Sequence, residues 1–147
     1  MKYLLIFLPT ILSTVFTGSI NEKTTFQPTP IPSKLKITIG TSTFEATLYD
    51  NETTKVFKTL LPLSIQMSEL NGNEKYYYLD SHLPSKQTQV GKIQAGDIML
   101  YGDNCLVVFY KTFITSYTYT PLGRIDNITG LSAVVGAGKA AITFELK

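Results

Sequence analysis

The chain has 147 residues, 44% hydrophobic and 16% charged, with a formal net charge of +2. That length and balance fit one folded domain with its own core and exclude an intrinsically disordered chain. The small net charge carries no long basic run, so nucleic acid is not an expected partner.

The first residues read as an address. Met1-Lys2 gives a short positive start, Tyr3 to Phe16 is mostly apolar with Pro9 inside it, and Thr17-Gly18-Ser19 is small enough for a signal peptidase. Residues 1–19 are therefore expected to be a signal peptide. The apolar run falls short of the roughly 20 residues that a membrane-spanning helix needs, so no integral span is expected after cleavage. The expected location is outside the cytoplasm, periplasmic or secreted. Cleavage after Ser19 takes away Lys2 alone among charged residues and lowers the net charge from +2 to +1. Cys105 is the only cysteine, so an exported chain of this kind has no internal disulfide. Beside Leu106-Val107-Val108-Phe109 it reads as a buried, inert thiol. Residues 20–33, with Pro28, Pro30 and Pro32 among Thr, Gln and Ser, read as an extended Pro/Thr-rich linker.

The domain is expected over residues 34–147. Lys34 to Ile39 alternates, with Leu35, Ile37 and Ile39 inward. Gly40-Thr41-Ser42 is a turn, and Thr43 to Tyr49 alternates again with Phe44, Ala46 and Leu48 on the dry face. The period then changes. Val56, Phe57, Leu60 and Leu61 share one helical face, with Asp50 or Asn51 as cap and Pro62 as stop. Leu63 to Leu70 alternates, Asn71-Gly72-Asn73 is a hairpin turn, and Glu74 to Asp80 is the return strand. Tyr76, Tyr77 and Tyr78 are consecutive, so Tyr77 faces away from its neighbours and at least one face presents tyrosine to solvent or a groove.

Residues 81–95 read as a polar surface loop broken by Pro84 and Gly91. Gly96 to Tyr101 and Cys105 to Tyr110 are strands around a Gly102-Asp103-Asn104 turn, and Lys111 to Thr118 is strand or loop. Leu122 to Asp126 is a short strand. Thr129 is the expected cap of a second short helix closed by Gly136 and Gly138. Ala140 to Leu146 is the last strand, with Ala140, Ile142, Phe144 and Leu146 on the dry side. Strands in hairpin pairs predict an antiparallel sheet. A closed antiparallel β-barrel of about eight strands with two short helices removes the exposed edges.

Three stretches in this order resemble the cyclophilin-like fold, in its compact bacterial branch. Phe44-Glu45-Ala46-Thr47-Leu48-Tyr49-Asp50 leads into Thr54-Lys55-Val56-Phe57-Lys58-Thr59-Leu60. Gly96-Asp97-Ile98-Met99-Leu100-Tyr101 precedes an apolar strand. Leu122-Gly123-Arg124-Ile125 leads to Leu131, similar to a Phe-Gly-Lys-Val strand before a helix. The resemblance implies a peptide groove and, in its catalytic members, peptidyl-prolyl cis-trans isomerisation. Tyr119 stands where those members carry a histidine, and Cys105 and Val107 where they carry a glutamine and a pocket phenylalanine. Their arginine motif has no counterpart, since Glu74 to Asp80 occupies its place.

The expected function is accordingly an exported domain that binds a peptide or small ligand in a groove lined by Met67, Tyr78, Leu100, Val107, Phe109 and Tyr119. The alternative is an isomerase with Arg124, the only arginine, as substitute cation against a barrier of about 18–20 kcal/mol. A third option is a small-molecule enzyme using Asp97 or His82. His82 has no neighbours at ligand spacing, so no metal and no cofactor are expected. No nucleophile elbow and no phosphate loop occur. Exposed tyrosine suits peptide or glycan recognition, because it offers a flat apolar face with a polar tip; the competing use is half-buried barrel wall.

Overall fold

Alternating strands need a dry side, and here they make one by closing on themselves. The computed structural model describes residues 31–147. Its strands are β1 (Lys34–Ile39), β2 (Ser42–Leu48), β3 (Leu63–Leu70), β4 (Glu74–Tyr78), β5 (Thr88–Gln89), β6 (Lys92–Ile93), β7 (Asp97–Tyr101), β8 (Cys105–Phe109), β9 (Phe113–Ile114), β10 (Thr118–Ile125) and β11 (Ala140–Leu146). The helices are α1 (Glu52–Thr59) and α2 (Leu131–Val135). The expected signal peptide and most of the linker lie outside the described residues. Strand order is β2-β1-β11-β3-β4-β8-β7-β10, and β10 returns to β2, which closes an eight-stranded antiparallel barrel. No described helix is long and apolar enough to cross a membrane.

The interior takes the apolar half of each strand: Leu35, Ile37, Phe44, Ala46, Leu48, Ile142 and Phe144 are buried together. Leu146 departs from the expected pattern. It lies at the frayed last position of β11 and is 51% exposed. The closing seam explains one glycine. A Cβ on Gly123 would stand 2.4 Å from the Thr47 carbonyl oxygen, so β10 can pair with β2 at Leu48 only if position 123 has no side chain.

Each barrel end carries a helix. Asn51 caps α1: its side-chain oxygen accepts from Thr54 N at 2.9 Å, while the Thr54 hydroxyl accepts from Asn51 N at 3.1 Å. Phe57 is fully buried and meets Phe144 edge to face, with ring centroids 6.3 Å apart. Asn51 Nδ2 also donates to the Pro121 carbonyl at 2.9 Å, tying the helix start to the wall. Asn51→Ala is expected to cost about 1–2 kcal/mol by urea denaturation, since both cap and tie are lost.

The second end is sealed differently. Lys75 points inward and is completely buried. Its ammonium donates to Glu69 Oε2 at 2.5 Å, to Gly136 O at 2.8 Å and to Gly138 O at 2.6 Å. Gly136 is the C-cap of α2, so the charge satisfies carbonyls that a helix end leaves open. Glu69 also accepts from Tyr110 Oη at 2.7 Å. Burial pushes the Glu69 carboxyl up, but these donors outweigh it and hold it below its ordinary value.

Three local expectations are corrected. Residues 81–95 are not wholly loop: β5 pairs with β10, and β6 pairs with β9 in a separate ribbon. β10 begins at Thr118, four residues before Leu122, and runs through Pro121. The proline is tolerated because β10 pairs on one side with β5 at Thr118–Tyr119 and with β2 only from Gly123, so no bond on that side is asked of Pro121. Helix α2 starts after Gly130, at φ +79, without a side-chain cap from Thr129.

Candidate functional site

The same alternation that fills the barrel leaves a second apolar layer on its outside. On β8, Leu106 and Val108 join the interior, whereas Cys105, Val107 and Phe109 face out. On β7, Ile98 and Leu100 face in and Met99 faces out. On β4, Tyr77 packs against the interior core while Tyr76 belongs to the outer layer. Ile93 of β6 and Phe113 of β9 lie over this outer layer with Tyr119 of β10. Between wall and ribbon lies a cavity of about 660 Å³, within the range of small-ligand sites.

Its walls follow from strand order. Cys105 and Val107 form the floor, Tyr76 and Tyr78 one side, Tyr101 and Tyr119 the other. The segment from Phe113 to Tyr117 roofs it, and Asn73 and Glu74 stand at the end where β3 turns into β4. Neighbouring rings meet at steep angles. Tyr76 and Tyr78 are 5.9 Å apart at 78°, and Tyr101 meets Tyr117 at 6.2 Å and 85°. Tyr101 lies 5.7 Å from Tyr119, which meets the underlying Phe109 at 5.5 Å and 87°. Tyr78, Tyr101 and Tyr117 remain exposed.

Among the described residues, Glu74 is the only charged one that lines this cavity. Burial, and then the nearby charge of Glu69, push its carboxyl up to about 7. Burial and the Glu74 charge push the Cys105 thiol up to about 11, so this cysteine is a neutral, unreactive part of the floor. The Tyr119 phenol is pushed up to about 12, by burial first and Glu74 second. Asn73 Oδ1 is buried without a hydrogen-bond partner. The arrangement offers flat apolar surface, hydroxyl groups and one anionic end; it offers no cation among the described residues that line it.

The residues expected to line a groove divide between the two faces of the wall. Tyr78, Val107 and Tyr119 line the cavity, and Phe109 lies beneath it, buried against Tyr119 and Phe113. Met67 and Leu100 do not reach it. Both are inward positions of their strands and belong to the barrel core, because a period of two sends alternate residues to opposite faces. Glu74, Tyr76, Tyr101, Phe113 and Tyr117 are among the residues that line it instead. The signal for Glu74 and Tyr76 was present in the two-residue step back from Tyr78; the approach of the 113–117 segment had none.

Arg124 is not among the lining residues. Its Nε donates to Asp97 Oδ1 at 2.7 Å, and the other Asp97 oxygen accepts from Gln94 N at 2.8 Å. Asp97 is thereby a buried anchor for a strand start and Arg124 its half-exposed partner. His82 is exposed and lies 3.0 Å from Asp103. Among the described residues no group of His, Cys, Asp and Glu is placed to hold a metal ion.

Residues 37–145 match the family model described as the Cyclophilin-like family. Among solved structures, the chain is similar to the solution structure of a hypothetical protein from Archaeoglobus fulgidus. The sequences are 20% identical, the match covers 82% of this chain and 99% of that one, and the TM-score is 0.56. At that identity the likeness speaks for the fold. A comparison with curated proteins finds no match.

Proposed function

The chain belongs to the cyclophilin-like family, and we propose that it is an exported binding domain that takes a peptide or small ligand in the tyrosine-lined cavity without isomerase chemistry. One observation carries this reading: a cavity of about 660 Å³ lined by Tyr76, Tyr78, Tyr101, Tyr117 and Tyr119 and, among the described residues, by no arginine or lysine. Tyrosine binds well there because a rigid ring gives contact area at little cost in conformational entropy. The positions to which the family resemblance assigns pocket residues, Cys105, Val107 and Tyr119, all line this cavity. Export rests on the leader-like residues 1–19.

Twisting a prolyl amide is accelerated by a fixed cation that draws on the amide nitrogen. Arg124, the candidate for that role, is committed to Asp97. The test pairs two measurements on several Xaa-Pro peptides. Isomerisation is expected to run at the buffer rate with protein present, while tyrosine fluorescence or amide shifts at Tyr76, Tyr101 and Tyr117 report binding. A clear rate gain that Arg124→Ala abolishes, in a variant with unchanged circular dichroism, establishes the isomerase instead.

A further inference from the structure

We propose that the ligand enters this cavity through an alkylated ammonium group, with Glu74 as its counter-ion and the tyrosine rings as its walls. The inference deepens the binding function above and rests on it. Glu74 is 8% exposed, and burial and the repulsion of Glu69 both push its carboxyl up. No described residue donates to it or pairs with it. Lys75, its chain neighbour, points through the wall to the opposite face and is spent on Glu69, Gly136 and Gly138.

The other titratable groups lining the cavity are Tyr76 and Tyr78 on β4, Cys105 on β8, Tyr101 on β7, Tyr117, and Tyr119 on β10. None of these side chains is a cation, so none of them offsets an anion. A buried carboxylate without a partner is costly. The cost is removed when a cation arrives.

Two features select the kind of cation. The rings meet at 78° and 85° rather than in parallel, which makes a box for a rounded group, not a slot for a planar guanidinium. Tyrosine rings attract ammonium through their negative faces, and methyl groups on nitrogen fill such a box. Asn73 Oδ1, buried and unpartnered at the same end, adds acceptor character and no positive charge. Because burial holds Glu74 near 7, cation binding strengthens as pH rises through that value.

Choline and its neutral isostere 3,3-dimethylbutan-1-ol separate charge from shape. Each is titrated into the ¹⁵N-labelled protein at pH 8, with amide shifts followed at Glu74, Tyr76 and Tyr117. A short peptide carrying ε-trimethyllysine, against the same peptide with leucine, tests a peptide-borne source of the same group. At least one cation is expected to bind about tenfold or more tighter than its neutral counterpart. Glu74→Gln is expected to remove that preference by weakening the cation, and cation affinity is expected to drop about tenfold between pH 8 and pH 6. Equal binding of charged and neutral probes, or a preference that survives Glu74→Gln, overturns the ammonium inference and leaves the cavity a binding site. Silence from these probes and from the Xaa-Pro peptides removes both.

Discussion

Lys75→Met is expected to lower folding stability by about 3–5 kcal/mol at neutral pH, read by urea denaturation. Methionine keeps the length of the side chain and loses the charge. Glu69 then stands without its ammonium partner at 2.5 Å, and the carbonyls of Gly136 and Gly138 lose their donor. Tyr110, whose ring centroid is 5.3 Å from the ammonium, loses a cation at its face. These losses fall on one network, so they combine into a single large effect instead of several small ones.

The pH dependence of that loss has a definite sign. In the wild type the Glu69 carboxyl sits below its ordinary 4.5, so its contribution is complete above about 4.5 and fades as pH falls through the depressed folded value. The cost of Lys75→Met therefore shrinks in acid, where Glu69 is protonated with or without a partner. A cost that stays constant between pH 7 and pH 3 would contradict a charge-based seal and leave only lost packing.

Glu74→Gln is expected to act in the opposite direction. The wild-type carboxyl is raised from 4.5 to about 7, so the folded state holds a proton that the unfolded state has released. Stability consequently falls as pH climbs from about 4.5 through about 7. The full shift corresponds to about 3 kcal/mol; water reaching the open cavity screens part of it, leaving about 1–2 kcal/mol. Glutamine has no charge to bury. The variant should match wild type near pH 4 and exceed it by about 1–2 kcal/mol at pH 8, as a higher urea midpoint at unchanged slope.

Taken together, the neighbours Lys75 and Glu74 show what one step along a strand does. Lys75 faces the barrel interior and closes it; Glu74 faces the outer cavity and destabilises the fold at neutral pH. Surplus cost at a ligand-facing position is how binding sites commonly differ from the rest of a fold. The two variants therefore separate a charge that seals the barrel from the one proposed to meet a ligand.

Much of the barrel is legible in the sequence. The alternation of Leu35, Ile37 and Ile39, of Phe44, Ala46 and Leu48, and of Ala140, Ile142 and Phe144 places strands and their dry faces. The change to a helical period after Asp50, with Asn51 as cap, places α1. Part of the cavity is legible too: Tyr78 and Val107 stand on strands that the alternation marks, and Tyr119 at the position that the family resemblance singles out. Met67 and Leu100 show the limit. Both are apolar and both lie on strands, but apolar residues occupy both sides of β7 and β8, and hydrophobicity alone does not say which side is the barrel interior. Pro121 shows another: it reads as a strand breaker until the gap in pairing between β5 and β2 is seen.

What the chain's own letters determine here are quantities set by neighbours within a few residues: strand and helix periods, turn positions, the cap at Asn51 and the aromatic richness of the 76–119 region. Which residues meet was decided by closure, when β10 came round to β2 and the 113–117 segment came down over β8. Side-chain direction repeats locally, every second residue. The approach of Glu74, Tyr101 and Tyr117 to one cavity depends on long-range strand order, which only the packed barrel supplies.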